Sequence, residues 1–150
     1  MQQIEIIKIK KVNNTFILAN YLNYILSTVK IMHWYTLNIN LHEIFGDLYQ
    51  NLNLSFDKLQ EEIIGLNRQH IYLSINPNTV LINQSIDEII ENDPLIIDFY
   101  KKMMSDFKNI LCSDDFNSFI NSSNSGLNNS KEEILSEINK SLYLISLVKL

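Results

Sequence analysis

Apolar positions recur at three- and four-residue steps over most of the chain, which is the period of an amphipathic helix. Between Asn14 and about Tyr35 the run NTFILANYLNYILSTVKIMHWY sets Ile17, Leu18, Tyr21, Tyr24, Ile25, Thr28, Val29 and Met32 on one face. Asn14 stands where an N-cap is needed. After the polar break TLNIN the spacing predicts a second helix from about Leu41 to Asn67, with Ile44, Phe45, Leu48, Leu52, Leu59, Ile63 and Leu66 as its stripe. A link this short forces the two helices into an antiparallel hairpin.

Residues 69–84, QHIYLSINPNTVLINQ, lose that period and gain β-branched residues and a proline, so they read as a long extended crossover. Ser85–Glu91 reads as a short helix. Asp93-Pro94 supplies an N-cap and first-turn pair for a third helix reaching about Leu111. Residues 113–129, rich in Asn and Ser, read as a flexible polar loop. Ser130 followed by Glu133 forms a capping-box pattern that opens a fourth helix, KEEILSEINKSLYLISLVKL. The fold class is therefore all-α. Four main helices with a long crossover between the second and third have the connectivity of a ferritin-like four-helix bundle.

Composition narrows the picture. At 150 residues the chain is one domain, 1–150, with 1–13 as an N-terminal flank. Apolar residues are 46% and charged ones 19%, which excludes an unfolded chain. No apolar run approaches the roughly 20 residues that span a bilayer, so no membrane role is expected. Glu5, Lys8 and Lys10 interrupt the first apolar run and argue against a signal peptide. A lone cysteine, Cys112, rules out an internal disulfide and suits a reducing, cytoplasmic setting. The net charge of −5 argues against DNA as a partner. The 24 Ile and 20 Asn against one Ala and one Arg follow AT-rich codons, as in a virus, phage or parasite.

Three features stand apart from core packing: His33-Trp34 near the end of the first helix, His42 at the start of the second, and Asp57 with Glu61 farther along it. Asp57 and Glu61 are four residues apart and share a helical face. Iron and other divalent metals accept imidazole nitrogen and carboxylate oxygen together. His42 and Asp57 lie roughly 22 Å apart along one helix at 1.5 Å per residue, so one chain cannot bring both to one ion. A single site built from these residues requires two chains, and so a symmetric dimer at least.

The segment KIMHWYTLNINLHEIFGDLYQNLNLSFDKLQEEIIG resembles the metal-site hairpin of the Dps proteins, the mini-ferritins. It is also similar to an uncharacterised family of small proteins from tailed phages and other large DNA viruses. That family's pattern HWxTxSxxxH reads here as HWYTLNINLH, with Asn38 in place of Ser, and its closing helix reads EILSEINKSLYL. The resemblance covers residues from about 15 to 68 and from 131 to 146. It implies an intersubunit iron site ligated by His33, His42, Asp57 and Glu61, with Trp34 beside it. It further implies a homo-oligomer, up to a dodecamer, that binds iron and oxidises ferrous iron in the manner of a ferroxidase, with no catalytic residue beyond the ligands. In a virus the setting would be the infected host cell. Two departures stand out. Dps proteins carry an Asp one turn after the second-helix His, where this chain has Gly46. Asp47 is its neighbour, rotated about 100°, and is the weakest candidate ligand. Only Lys8, Lys10 and Lys11 cluster as a basic flank.

Other readings of the same residues need no metal. A histidine on an apolar helix commonly packs with one hydrogen bond, Trp34 is expected at a helix interface, and Asp57 with Glu61 reads as a solvated face. His70 reads as a C-terminal cap of the second helix, and Cys112 as a partly buried, inert thiol. On these readings the alternative is a non-enzymatic viral structural or host-interaction protein.

Overall fold

The connection between the first two helices shows how the chain is organised. The computed structural model describes residues 14–65, 90–123 and 126–150, and within these every element is helical: α1 (Asn14–Tyr35), α2 (Ile39–Gly65), α3 (Asp93–Leu111), α4 (Asp114–Ser123) and α5 (Leu127–Ser146). The expected crossover at 69–84, the caps at Asn14 and His70, most of the short helix at 85–91 and the lysines of the flank lie outside the described residues and side chains.

The α1–α2 hairpin turns in three residues, each tied by side chains. Asn38 is the N-cap of α2: its Oδ1 accepts from the backbone N–H groups of Asn40 and Leu41 at 2.9 and 3.1 Å. That cap starts α2 at Ile39, two residues before the Leu41 start predicted from periodicity. Thr36 Oγ1 donates to Asp93 Oδ1 at 2.6 Å, and the same oxygen accepts from Leu37 N–H at 3.2 Å. The N-cap of α3 is not Asp93 but Asn92, whose side chain accepts from Leu95 N–H at 3.0 Å. Pro94 then occupies the first turn, where its missing N–H costs nothing. Relieved of capping, Asp93 ties α3 to the hairpin turn.

Along the hairpin the predicted stripes face inward. Leu18, Tyr21, Ile25, Val29 and Met32 of α1 and Phe45, Leu48, Leu52, Leu59 and Ile63 of α2 are buried, joined by Leu22, Leu41 and Phe56. Three links run between α2 and α5: Asn51 to Glu137, Lys58 to Glu133 and Ser130 to Glu62. Their numbers rise on one helix as they fall on the other, so α5 lies antiparallel to α2. Phe107 of α3 meets Tyr21 and Phe56 with ring centroids 5.7 Å apart in each case. The buried Tyr100 hydroxyl donates to Ser141 Oγ, which donates to the Ile138 carbonyl, so the core holds one satisfied polar relay. Burial pushes the Tyr100 and Tyr21 phenols well above the usual tyrosine range, with Asp106 adding to the effect at Tyr21.

The expected loop at 113–129 is a correction. Ser113 caps α4, its Oγ accepting from Phe116 N–H at 3.2 Å while donating to the Ile110 carbonyl at 2.7 Å. Asp114 and Asp115 then fill the first turn, where negative charge is favoured. Phe116, Phe119 and Ile120 are buried, and they hold α4 against α3 and α5. The capping box at Ser130 is corrected too. α5 begins at Leu127, and Ser130 is buried one turn in, donating to Glu62 at 3.0 Å. No described helix is long and apolar enough to cross a membrane.

Because Phe116 is fully buried, Phe116→Ala should cost about 3–5 kcal/mol in urea unfolding. A change below about 0.5 kcal/mol would match an unpacked loop instead. The tyrosines set an alkaline limit. Their folded pKa values lie above the unfolded value of about 10, so the stability they give is complete below that pH and falls as pH rises past it. Tyr100→Phe should blunt that fall in an alkaline unfolding titration.

Candidate metal half-site

His33 is two residues from the end of α1, and His42 is in the first turn of α2. The short turn therefore brings them face to face. Their rings stack with centroids 3.9 Å apart at an interplanar angle of 25°. His33 Nδ1 lies 2.7 Å from the His42 carbonyl oxygen, and His42 Nδ1 lies 2.7 Å from the His33 carbonyl oxygen. A carbonyl can only accept, so both Nδ1 atoms carry protons. In the neutral rings Nε2 is then bare at both residues, the state in which imidazole binds a metal. The pair also satisfies the His33 carbonyl, one of the last four of α1, which has no partner within the helix.

Gly46 makes room for this arrangement. A Cβ at that position would lie 2.9 Å from His33 Cε1 and 3.0 Å from His33 Nδ1. Glycine inside a helix costs about 1 kcal/mol against alanine, and here it admits the His33 ring. The space beside this turn of α2 is thus filled by a side chain from α1. Asp47, one residue on, points away: it lines a groove between α2 and α5 with Glu43, Asn51 and Glu137.

Asp57 and Glu61 are exposed on α2, four residues apart and remote from the histidines. Among the described residues no group of three or more His, Cys, Asp or Glu side chains converges on a metal-sized point. Within one chain, then, the structure brings together His33 and His42 and leaves Asp57 and Glu61 apart, as the helix length requires. Two imidazoles therefore stand together at the start of α2, and the two carboxylates stand apart from them on its exposed face.

Two other expectations change. Trp34 is not packed at a helix interface: it is 61% exposed, with Lys30 Nζ 5.6 Å from its ring. Cys112 is exposed at the C-terminal end of α3 rather than partly buried. Sequence reading also missed the apolar surface at the hairpin tip, where Trp34, Tyr35, Leu37 and Ile39 are all exposed. A run of large apolar residues around a turn was the available signal.

Comparison with known proteins returned no match: no protein-family model fits the chain, and no curated protein or solved structure is significantly similar to it.

The clash at Gly46 sets a direct test. Gly46→Ala should destabilise the protein by about 1–2 kcal/mol, since the His33 ring is pinned by its hydrogen bonds and cannot swing aside freely. With His33→Ala already in place, the same change should instead stabilise by up to about 1 kcal/mol through helix propensity. A urea double-mutant cycle reads this reversal of sign.

Proposed function

We propose that this chain is a Dps-like iron-binding protein with a ferritin-like bundle, acting as a homo-oligomer in which two copies share each metal site. His33 and His42 of one copy supply nitrogen, and Asp57 and Glu61 of a second copy supply oxygen. The supporting observation is the pair of Nδ1–carbonyl bonds, which holds both rings in the tautomer that leaves Nε2 free to ligate. When bound, iron supplies redox cycling between its ferrous and ferric states, with peroxide or oxygen as oxidant.

The surface of α2 supports a shared site. At about 100° per residue, Ile39, Glu43, Gln50, Leu54, Asp57, Glu61 and Ile64 lie within roughly 40° of one another's mean direction. All seven are exposed. Two α2 helices packed antiparallel and crossing at Gln50 bring the level of His42 in one, eight residues before the crossing, opposite the turn of the other that holds Asp57 and Glu61, seven and eleven residues after it. Exposed Leu54 and Ile64 flank the carboxylates, and exposed Ile39 lies near the histidines at the start of α2. A second copy would cover these apolar residues along with the ligands. A dimer is the minimum and a dodecamer the closed form of this reading. A viral source and a cytoplasmic setting belong to it as well.

Gly46 favours a second reading. Where the His33 ring fills that turn, no additional carboxylate reaches the histidines. The pair then works as a structural clamp, and the chain is a non-enzymatic helical interaction protein of a virus.

Mixing separates the two readings. His33→Ala and Asp57→Ala, purified apart, should each lose saturable binding of ferrous iron or its cobalt(II) surrogate. After subunit exchange in equal amounts, about a quarter of native capacity should return, because each mixed dimer regains one intact site. Retention of metal by either variant alone, or no recovery from an exchanged mixture, would contradict the shared site.

A further inference from the structure

A groove on the α1–α2 face has chemistry that the histidine site does not use. It encloses about 370 Å³ between Asn23, Ser27, Lys30 and Trp34 of α1 and Tyr49 and Asn53 of α2. That volume falls within the range of small-molecule pockets. The α1 residues follow one another at helical steps of four, three and four, so they form one wall, and Tyr49 and Asn53 face them one turn apart.

Lys30 is the centre of the groove. Its Nζ lies 4.4 Å from the Tyr49 ring centroid and 5.6 Å from that of Trp34, so its cation rests on aromatic faces. The ion pairs among the described residues are Lys58–Glu133 and Lys131–Glu132, and neither involves Lys30. α1 contains no Asp or Glu at all. In a chain of net charge −5, this leaves a half-buried cation without a carboxylate partner among the described residues, and the N–H donors not turned to the rings can meet an anion. Around it stand two amides, a hydroxyl and the exposed indole of Trp34. Cation, hydrogen-bonding amides and a stackable ring are what recognition of an aromatic anion requires.

We propose that this groove binds a small planar aromatic anion with the chemistry of a nucleoside monophosphate. The phosphate pairs with Lys30, the base stacks on Trp34, and Asn23 and Asn53 bond polar edges. The proposal does not depend on metal at the histidine pair.

Trp34 is the sole tryptophan of the chain, so in metal-free protein its fluorescence reports on binding in this groove. Titration of AMP into the full-length protein should give saturable quenching. Adenosine, which lacks the anion, and ribose 5-phosphate, which lacks the base, should each bind more weakly. Lys30→Gln should weaken AMP binding by about tenfold or more, the value of one charge-assisted contact. Lys140→Gln, in the separate α2–α5 groove, should leave it unchanged. Circular dichroism and the thermal midpoint check that both variants remain folded. Equilibrium dialysis with labelled AMP checks the quenching independently. The proposal is overturned if AMP neither quenches saturably nor is retained in dialysis, if adenosine binds as well as AMP, or if folded Lys30→Gln binds AMP like the native chain.

Discussion

Two hydrogen bonds between His33 and His42 join the end of α1 to the start of α2, and the histidine site depends on them. Each ring donates to the other residue's backbone carbonyl, and the rings stack where α1 gives way to α2. The contact ties the end of α1 to the first turn of α2, uses a helix-end carbonyl and sets the tautomer of both imidazoles. It has a requirement, which is that the α2 backbone approach the His33 ring without a side chain, and Gly46 meets it. Around this clamp the turn is pinned again from outside by Asp93, which accepts from Thr36 and Leu37. Three segments distant in sequence are thereby locked at one end of the molecule.

The same clamp limits the chemistry. A ring bonded through Nδ1 can offer only Nε2, so each histidine is at most a monodentate ligand. Two such donors do not hold iron on their own. The carboxylates that would complete the set sit on the outward face of α2, beyond the reach of one chain, and apolar residues are exposed beside both halves. On the proposed metal reading, the rigidity of one long helix requires that the site be shared between two copies. The groove around Lys30 lies on the neighbouring face, and Lys30, Tyr49 and Asn53, which define it, take no part in the histidine site, so Lys30 tests the one proposal without touching the other.

Much of the helical pattern was legible in the sequence because burial imposes a period. The limits of α1 and the inward faces of α1 and α2 follow from it, as does the third helix over Asp93–Leu111. Capping was less legible, because several polar residues near each helix start can serve. Asn38, Asn92 and Gly126 take positions that the pattern assigned to the segment before Leu41, to Asp93 and to Ser130. α4 was missed since ten residues rich in Asn and Ser resemble a loop until Phe116, Phe119 and Ile120 are seen to share a face. The spacing of the two histidines was readable, but their mutual hydrogen bonding was not. It depends on a three-residue turn whose geometry comes from Asn38 and Asp93, the latter 57 residues away from its partner Thr36. Gly46 illustrates the same point: in sequence it is a missing carboxylate, and in the structure it is the space the His33 ring occupies.

The most direct test of the clamp is the tautomeric state of the two histidines, read by ¹⁵N–¹H correlation on uniformly labelled protein at a pH where both rings are neutral. The structure predicts that His33 and His42 both carry the proton on Nδ1, with Nε2 showing the shift of an unprotonated nitrogen. Finding either ring protonated on Nε2, or both exchanging between tautomers as in free histidine, would contradict the reciprocal hydrogen bonds and the proposed metal site that rests on them.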